Sequence, residues 1–401
     1  MPKPPTAISI PRGARQPRLL KPTDAREVLL QLREHDFASL DRLERHTGLS
    51  SSRLSAAVSF LVKTGLVERA SDGKSNAGRR NNLRINASYG HVLGVDIGGS
   101  NLRIALADMN GAVLGKWSAS TKRTSSPDMV IEQICKGVEN LLEHASVPRR
   151  SLLAVAAGAP GITDGDAGVV VTTSYLKGWK NVPLRRLLES ALRIPAAVEN
   201  DVRMAAIGEN WKGAARAVAN FVFLAIGTGI AAGVFANGRL IHGADWTAGE
   251  VGYMHVPGAP ETAARRGAPG SLESVIGGEG IRKQWLRSRN GTGTEATRNL
   301  TATEIFEQAR AGDLVAKGVL NRSAKLLAYA VYNISLVLNC RLFILGGGVG
   351  MSTPLRDATQ RFLEKYSEPV QAKLMVSSLG QDAQLVGAIR LALSKADQEA
   401  V

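Results

Sequence analysis

Two cysteines, Cys135 and Cys340, are all that the 401 residues contain. They make no metal-binding pattern and give no support to a disulfide scaffold. Long apolar runs are missing as well. No continuous apolar stretch approaches the ~18 residues that a membrane helix needs, so no membrane partner is expected. The opening MPKPPTAISIPRGARQPRLLK is basic and proline-rich and lacks the apolar h-region of a secretory signal. It reads as a flexible basic arm over residues 1–20, and the cytoplasm is the expected location. Acidic residues are the other deficit, with 35 Asp and Glu against 50 Lys and Arg, a net charge of +15.

That imbalance is concentrated at the start of the chain. Residues 1–90 hold 16 Lys and Arg against 8 Asp and Glu, whereas the remaining 311 residues hold 34 against 27. A basic N-terminal segment fits contact with nucleic-acid phosphates, though charge alone equally fits a well-solvated surface. The hydrophobic share, 44%, is ordinary for a globular protein, and the length allows two or three domains with a large core.

What is most informative is a short run from Val92 to Leu106. An apolar strand ends in Asp96-Ile97-Gly98-Gly99-Ser100 and resumes as an apolar strand, and Asn110-Gly111 then turns the chain again. Glycines let backbone approach a ligand, and exposed N–H groups beside a hydroxyl make a cradle for phosphate. Asp96 is placed to hold a metal-bound water or to orient a phosphate oxygen. The device recurs at Phe221–Val234, where Gly227-Thr228-Gly229 separates two apolar strands and Asn237-Gly238 follows. Each alone could be an ordinary hairpin, since Asn-Gly is a strong hairpin signal. The pair predicts two lobes addressing one phosphate-bearing ligand.

The N-terminal region has a different grammar. Three helical patterns fit residues 23–64: Asp24–Glu34 with Val28, Leu29 and Leu32 on one face, Ser39–Thr47 with Leu40 and Leu43 inward, and Ser51–Lys63 with Leu54, Val58 and Leu61 recurring. Gly48 breaks the second, and Ser50 offers a cap to the third. Residues Gly65–Arg69 and Leu83–Ile85 read as two short strands around a polar, basic loop. This is a winged helix-turn-helix over residues 21–88. Its partner is expected to be a double-stranded DNA operator, read by a dimer at an inverted repeat. Ser51, Ser52, Arg53 and Ser55 form the exposed start of the third helix, where Arg53 can make a bidentate guanine contact. Arg79 and Arg80 lie at the wing tip, suited to phosphate or a minor groove. A winged helix used for protein contacts is the alternative.

Further motifs follow in order. Gly158-Ala159-Pro160-Gly161 makes a rigid turn after an apolar strand, Leu152–Ala157. Val198-Glu199-Asn200-Asp201 precedes an apolar helical stretch, for which Asn200 and Asp201 are good caps. Ala248-Gly249-Glu250-Val251-Gly252-Tyr253, Gly270-Ser271-Leu272-Glu273 and Leu345-Gly346-Gly347-Gly348 complete the series. Taken together, residues 20–401 resemble the ROK family (repressors, open reading frames and sugar kinases), in its regulator branch with a winged helix in front.

The resemblance implies an α/β fold: a winged helix-turn-helix followed by a two-lobed, actin-like sugar-kinase fold. The lobes would span 89–200, completed by about 376–401, and 201–375. It implies that Asn200, Asp201, Glu250, Glu273 and Gly161 bind sugar. Asp201 would be the catalytic base in an active kinase, since phosphoryl transfer needs an acceptor for the hydroxyl proton. Asp96, Gly98, Gly99, Ser100, Gly227, Thr228, Gly229 and Gly347 would face a nucleotide. The chain departs from the family at its structural zinc, whose ligand positions here are Tyr253, Ala264, Arg266 and Ser271, none a normal zinc ligand. No zinc and no required cofactor are expected, with ATP and Mg²⁺ relevant only if kinase activity survives. The implied function is a sugar-responsive transcriptional regulator, a repressor, assembled as a homodimer or tetramer. The alternative is an ATP-dependent, glucokinase-like sugar kinase carrying a DNA-binding domain. Ala388–Leu393, opened by Gly387, is expected to form a C-terminal helix packed on the first lobe.

Overall fold

The computed structural model describes residues 21–35, 38–69, 82–122, 124–260, 269–289, 299–366 and 371–401. The basic arm, Arg79, Arg80, Ala264 and Arg266 lie outside them. The chain forms two compact units. The first takes the described residues up to Ala157, Pro183–Val198 and Ala388–Val401; the second takes Gly158–Val182 and Glu199–Gly387.

The first unit begins with three helices and short strands close to the positions expected from the sequence. Helix α1 (Pro22–His35), strand β1 (Ala38–Ser39), helix α2 (Leu40–Thr47) and helix α3 (Ser51–Lys63) precede strands β2 (Val67–Arg69) and β3 (Asn82–Ile85). Ser39 caps α2 by accepting from the Arg42 N–H at 3.3 Å, and Gly48 ends it at φ +63°, a left-handed conformation that glycine adopts without steric cost. The strands form one three-stranded sheet in the order β1-β3-β2. Val28, Leu29, Leu32, Leu43, Leu54, Val58, Leu61, Leu83 and Ile85 are buried.

After it come strands β4 (His91–Ile97), β5 (Asn101–Asp108) and β6 (Val113–Ser120), helix α4 (Pro127–His144) and strand β7 (Leu152–Ala159). Strand β8 (Ile162–Asp164), β9 (Val169–Thr172) and β10 (Lys180–Val182) make a small antiparallel sheet, followed by helix α5 (Leu184–Leu192) and strand β11 (Ala196–Asn200). The second unit continues with helix α6 (Asp201–Lys212), strands β12 (Phe221–Ile226), β13 (Ile230–Ala236) and β14 (Arg239–Leu240), helices α7 (Glu273–Ile276), α8 (Gly278–Ser288), α9 (Ala302–Arg310) and α10 (Leu314–Leu338), strand β15 (Leu342–Gly346), short helix α11 (Gly347–Gly350), helix α12 (Thr353–Leu363) and strand β16 (Lys373–Val376). Helix α13 (Ala383–Ala400) closes the chain.

The two five-stranded sheets repeat one topology. One runs β11-β7-β4-β5-β6 and the other β14-β13-β12-β15-β16, so each is an antiparallel meander of three strands extended on its first strand by two later ones. The recurrence of the glycine hairpin in the sequence has its physical reason here: β4–β5 and β12–β13 are the corresponding first hairpins of the two sheets. Asn237 and Gly238 both have positive φ, 53° and 73°, as a tight hairpin turn requires.

Two boundaries differ from the sequence expectation. Gly158–Val182, expected in the first lobe, belongs to the second unit, because β8 and the Gly161 turn pack on β9 and Asn200. Helix α13 starts at Ala383 rather than at Gly387. Gly387 is an interior helical position whose missing side chain makes room for the Met204 carbonyl of α6.

Candidate functional site

Asn200 closes β11 and caps α6. Its Oδ1 accepts from the N–H groups of Val202 and Arg203, each at 3.0 Å. Its amide nitrogen donates to the Gly161 carbonyl at 2.9 Å and to Asp201 Oδ1 at 3.0 Å. Both hydrogens and both lone pairs of the amide are thereby engaged. Gly161 itself sits at φ +92°, and a side chain there would collide with the Thr172 carbonyl. Asn200 therefore ties the Gly158–Gly161 turn to the start of α6. Asp201 Oδ1 also accepts from the Val202 N–H at 2.9 Å, which sets this carboxylate at the positive end of the helix.

Beneath that helix start lies a polar network that the motif reading did not single out. Glu199 Oε1 accepts from Arg203 Nε at 2.7 Å and from the Asn200 N–H at 2.7 Å, while its Oε2 meets His242 Nε2 at 2.8 Å. Arg203 spends its other nitrogens on the carbonyls of Trp246, at 2.9 Å, and Thr163, at 2.7 Å. Burial alone would push the Glu199 carboxyl up, but His242, Arg203 and the Asn200 N–H together hold it below the usual range. The signal available in the sequence was the i,i+4 spacing of Glu199 and Arg203 across a helix start.

Above the network lie Glu250 and Glu273. Glu250 follows Gly249, whose carbonyl accepts from the Ala232 N–H of β13 at 2.7 Å. Glu273 opens α7, and its Oε2 accepts from the Ile230 N–H at 2.9 Å. Burial pushes both carboxyls up, and for Glu250 the charge of Glu273 adds to the rise while Arg203 opposes it. The phenols of Tyr175 and Tyr253 share this environment, since Glu273, Asp201 and Glu250 all act on Tyr175, and Glu250 and Glu273 act on Tyr253. The second unit thus brings Gly161, Asn200, Asp201, Glu250 and Glu273 into one neighbourhood, rich in acceptors for hydroxyl donors. Tyr175 was missed because it lies in a loop with no motif of its own.

The Gly227-Thr228-Gly229 turn closes β12–β13, with the Gly227 N–H donating to the Gly229 carbonyl at 2.9 Å and Thr228 exposed. A methyl on Gly227 would stand 4.0 Å from the Gly348 nitrogen, so this turn and the Gly346–Gly348 turn are neighbours. Gly347 has φ +76° and a side chain there would collide with the Ile226 carbonyl, whereas a side chain at Gly348 would enter open space.

In the first unit, Gly98 and Ser100 are fixed by Thr121, whose Oγ1 donates to the Gly98 carbonyl at 2.7 Å and whose N–H donates to the Ser100 carbonyl at 2.9 Å. Gly99 lies between them at the hairpin tip. Asp96, expected to face a metal-bound water, is instead paired across the hairpin with Arg103. Nε and Nη2 reach its Oδ2 at 2.9 and 2.6 Å. Burial pushes the Asp96 carboxyl up and Arg103 opposes it. Both guanidinium contacts fall on the one oxygen, Oδ2. Of the described zinc positions, Tyr253 is a phenol and Ser271 donates to the Pro260 carbonyl at 2.9 Å, and neither is a normal zinc ligand. Among the described residues no three His, Cys, Asp or Glu side chains are placed to hold a metal.

On α3, Ser51, Ser52 and Ser55 are exposed. Ser51 Oγ donates to Glu44, and Ser52 Oγ lies 3.3 Å from Ser50 Oγ. Arg53, expected to read a guanine, is turned onto Asp24 of α1, with Nε–Oδ2 at 3.0 Å and Nη2–Oδ1 at 2.5 Å. Without a partner nearby, Asp24 at the base of α1 would be a buried charge, and this explains the difference.

Residues 92–395 match the ROK family. The chain is 31% identical over 307 residues to a glucokinase of Halalkalibacterium halodurans, a match covering 74% of this chain and 92% of that protein. It is 25% identical over 398 residues to a xylose repressor of Caldicellulosiruptor bescii, covering 94% of this chain and 96% of the repressor. Among solved structures, a ROK family transcriptional regulator described as a homologue of the E. coli MLC protein superposes with a TM-score of 0.80 at 22% identity, over 94% of this chain and 98% of its own.

Proposed function

The chain belongs to the ROK family, and from that membership we propose that it is a sugar-responsive, DNA-binding transcriptional repressor of carbohydrate-metabolism genes, acting in the cytoplasm as a homodimer or tetramer. The observation that carries this reading is the extent of the matches. The xylose repressor aligns over 94% of the chain, whereas the glucokinase aligns over 74%. The ROK match begins only at residue 92, after α1, α2, α3 and the three-stranded sheet, which the reading takes as the DNA-binding domain. Two-fold related copies would present α3 to successive major grooves, with half-sites about one helical turn apart or a multiple of it. Ser51, Ser52 and Ser55 would face the bases, and Arg79 and Arg80 the backbone.

The effector is a sugar or sugar derivative, recognised by Glu250, Glu273 and Asp201 around the turn held by Asn200. Its binding shifts the protein between DNA-competent and DNA-incompetent states by the difference in its affinity for the two. No structural zinc and no cofactor belong to this function. Selection of duplexes from a random library tests it. Enrichment of an inverted repeat supports the reading, and recovery of no common sequence contradicts it.

A second reading, a sugar kinase with an added DNA-binding domain, is favoured by one feature. Asp201 stands at the first turn of α6, where a base for the attacking hydroxyl would be needed. Against it, the Arg103 guanidinium competes for the Asp96 carboxylate.

A further inference from the structure

The loop between β9 and β10 is anchored on both sides. Leu176 and Trp179 are buried, and the Tyr175 N–H donates to Thr173 Oγ1 at 3.1 Å. Tyr175, which precedes Leu176, keeps 36% of its surface exposed, yet its hydroxyl lies against Gly229. A methyl group at Gly229 would collide with that hydroxyl and stand 3.0 Å from Glu273 Oε2. Gly229 does not have positive φ, so what it supplies here is space for the phenol.

The chemistry of the neighbourhood is one-sided. Asp201, Glu250 and Glu273 offer only acceptors when ionised. Arg203, the cation acting on Glu250, is committed to Glu199, Trp246 and Thr163. Burial, then the charges of Glu273, Asp201 and Glu250, push the Tyr175 phenol up to about 12, so at neutral pH it remains a proton donor. A polyhydroxylated ring needs acceptors for its O–H groups, donors for its oxygens and an apolar surface for its C–H face. The exposed ring and the hydroxyl of Tyr175 supply the last two.

We propose that Tyr175 is a ligand-contacting, specificity-determining residue of the effector site: its hydroxyl donates to the bound sugar while Glu250 and Glu273 accept from it, and the group selects an uncharged ring over a phosphorylated one. This rests on the sugar-site reading above. A phosphate brought among three carboxylates meets like charge, which is what rejects it.

Calorimetry on the full-length protein tests this with glucose, xylose, N-acetylmannosamine and glucose 6-phosphate. The expected result is binding of an uncharged sugar, with glucose 6-phosphate at least about tenfold weaker. Tyr175→Phe should weaken the bound sugar about tenfold, the size of one hydrogen bond, and Tyr175→Ala further, with the melting temperature of ligand-free Tyr175→Phe unchanged. Glu273→Gln reports on the site itself. Loss of binding in Glu273→Gln with wild-type affinity in both Tyr175 variants overturns the role of Tyr175. Wild-type affinity in all three variants, or no binding by any of the four compounds, overturns the sugar-site reading beneath it. Tighter binding of glucose 6-phosphate overturns the charge selection.

Discussion

Arg53 of α3 and Asp24 of α1 form a two-point ion pair in which the carboxylate is buried and the guanidinium is partly exposed. Arg53 draws the Asp24 carboxyl below the usual range, against the opposing effect of burial. The arginine thus fixes the start of α3 to α1, and Ser51, Ser52 and Ser55 are the exposed side chains near that start.

Arg53→Ala should accordingly weaken binding to every operator variant alike, because it releases α3 from α1. Fluorescence anisotropy against operators substituted at each position is the measurement. A loss confined to one base pair, costing about 1–3 kcal/mol there, would mean that Arg53 leaves Asp24 to read that base.

A second ion pair ties α1 to the last helix of the chain. Arg33 of α1 gives Nε and Nη2 to Asp397 of α13, at 2.5 and 2.7 Å, and Nη1 to the Met109 carbonyl at 2.6 Å. Both side chains are nearly inaccessible, and burial together with the charge of Arg33 pushes the neighbouring Arg390 down. Asp397→Ala leaves buried guanidinium groups uncompensated and should cost about 3–5 kcal/mol in urea denaturation. The double variant Arg33→Met, Asp397→Leu should recover most of that loss. Equal instability of the single and double variants would show that the pair is not the cause.

Acid sensitivity follows from Glu199. Its folded carboxyl lies below the ordinary value of 4.5, so the stability it brings is present above that value and lost as pH falls through the lower folded one. Glu199→Gln removes the titration and should be less stable than the wild type at neutral pH, while losing less stability on acidification to about pH 4 or below. Urea denaturation of both proteins across that range checks it. Parallel losses in the two would assign the acid limb to other carboxylates.

Much of this was legible in the sequence because local chemistry determined it. Leu54, Val58 and Leu61, bounded by Ser50 and Lys63, define α3 to the residue, and Gly48 adopts the left-handed cap that its position suggests. The two glycine hairpins are where they were expected, and their likeness reflects the repeated sheet. Contacts between distant segments were not legible. The two-residue strand β1 exists only because β3 lies beside it. Tyr175 gains its surroundings from Gly229 and Glu273, far along the chain. Gly387 reads as a helix start in isolation and is an interior contact with α6 in the fold. The commitment of Asp96 to Arg103 depends on hairpin register, which places the two opposite each other; counting residues across the Gly98–Ser100 turn would have found it.

Catalysis offers a sharp test of the kinase alternative. A base at Asp201 accelerates transfer only when hydroxyl and phosphate are held in line, and the Arg103 guanidinium on Asp96 Oδ2 competes with a metal-bound water for that carboxylate. A coupled ADP-release assay with the sugar that binds should give turnover far below the roughly 1–100 s⁻¹ of kinases. Turnover in that range, abolished by Asp201→Ala, would establish the kinase reading.

The most direct test of the central claim is operator affinity with and without effector. Anisotropy of a labelled, selected operator should be followed as the sugar identified by calorimetry is titrated into the wild type and Glu273→Gln. A coupling free energy of about 1–3 kcal/mol corresponds to roughly 5–150-fold weaker DNA binding at saturating sugar. The account predicts such a loss in the wild type and its absence in Glu273→Gln. Operator affinity that is unchanged by a saturating, tightly bound sugar would contradict it.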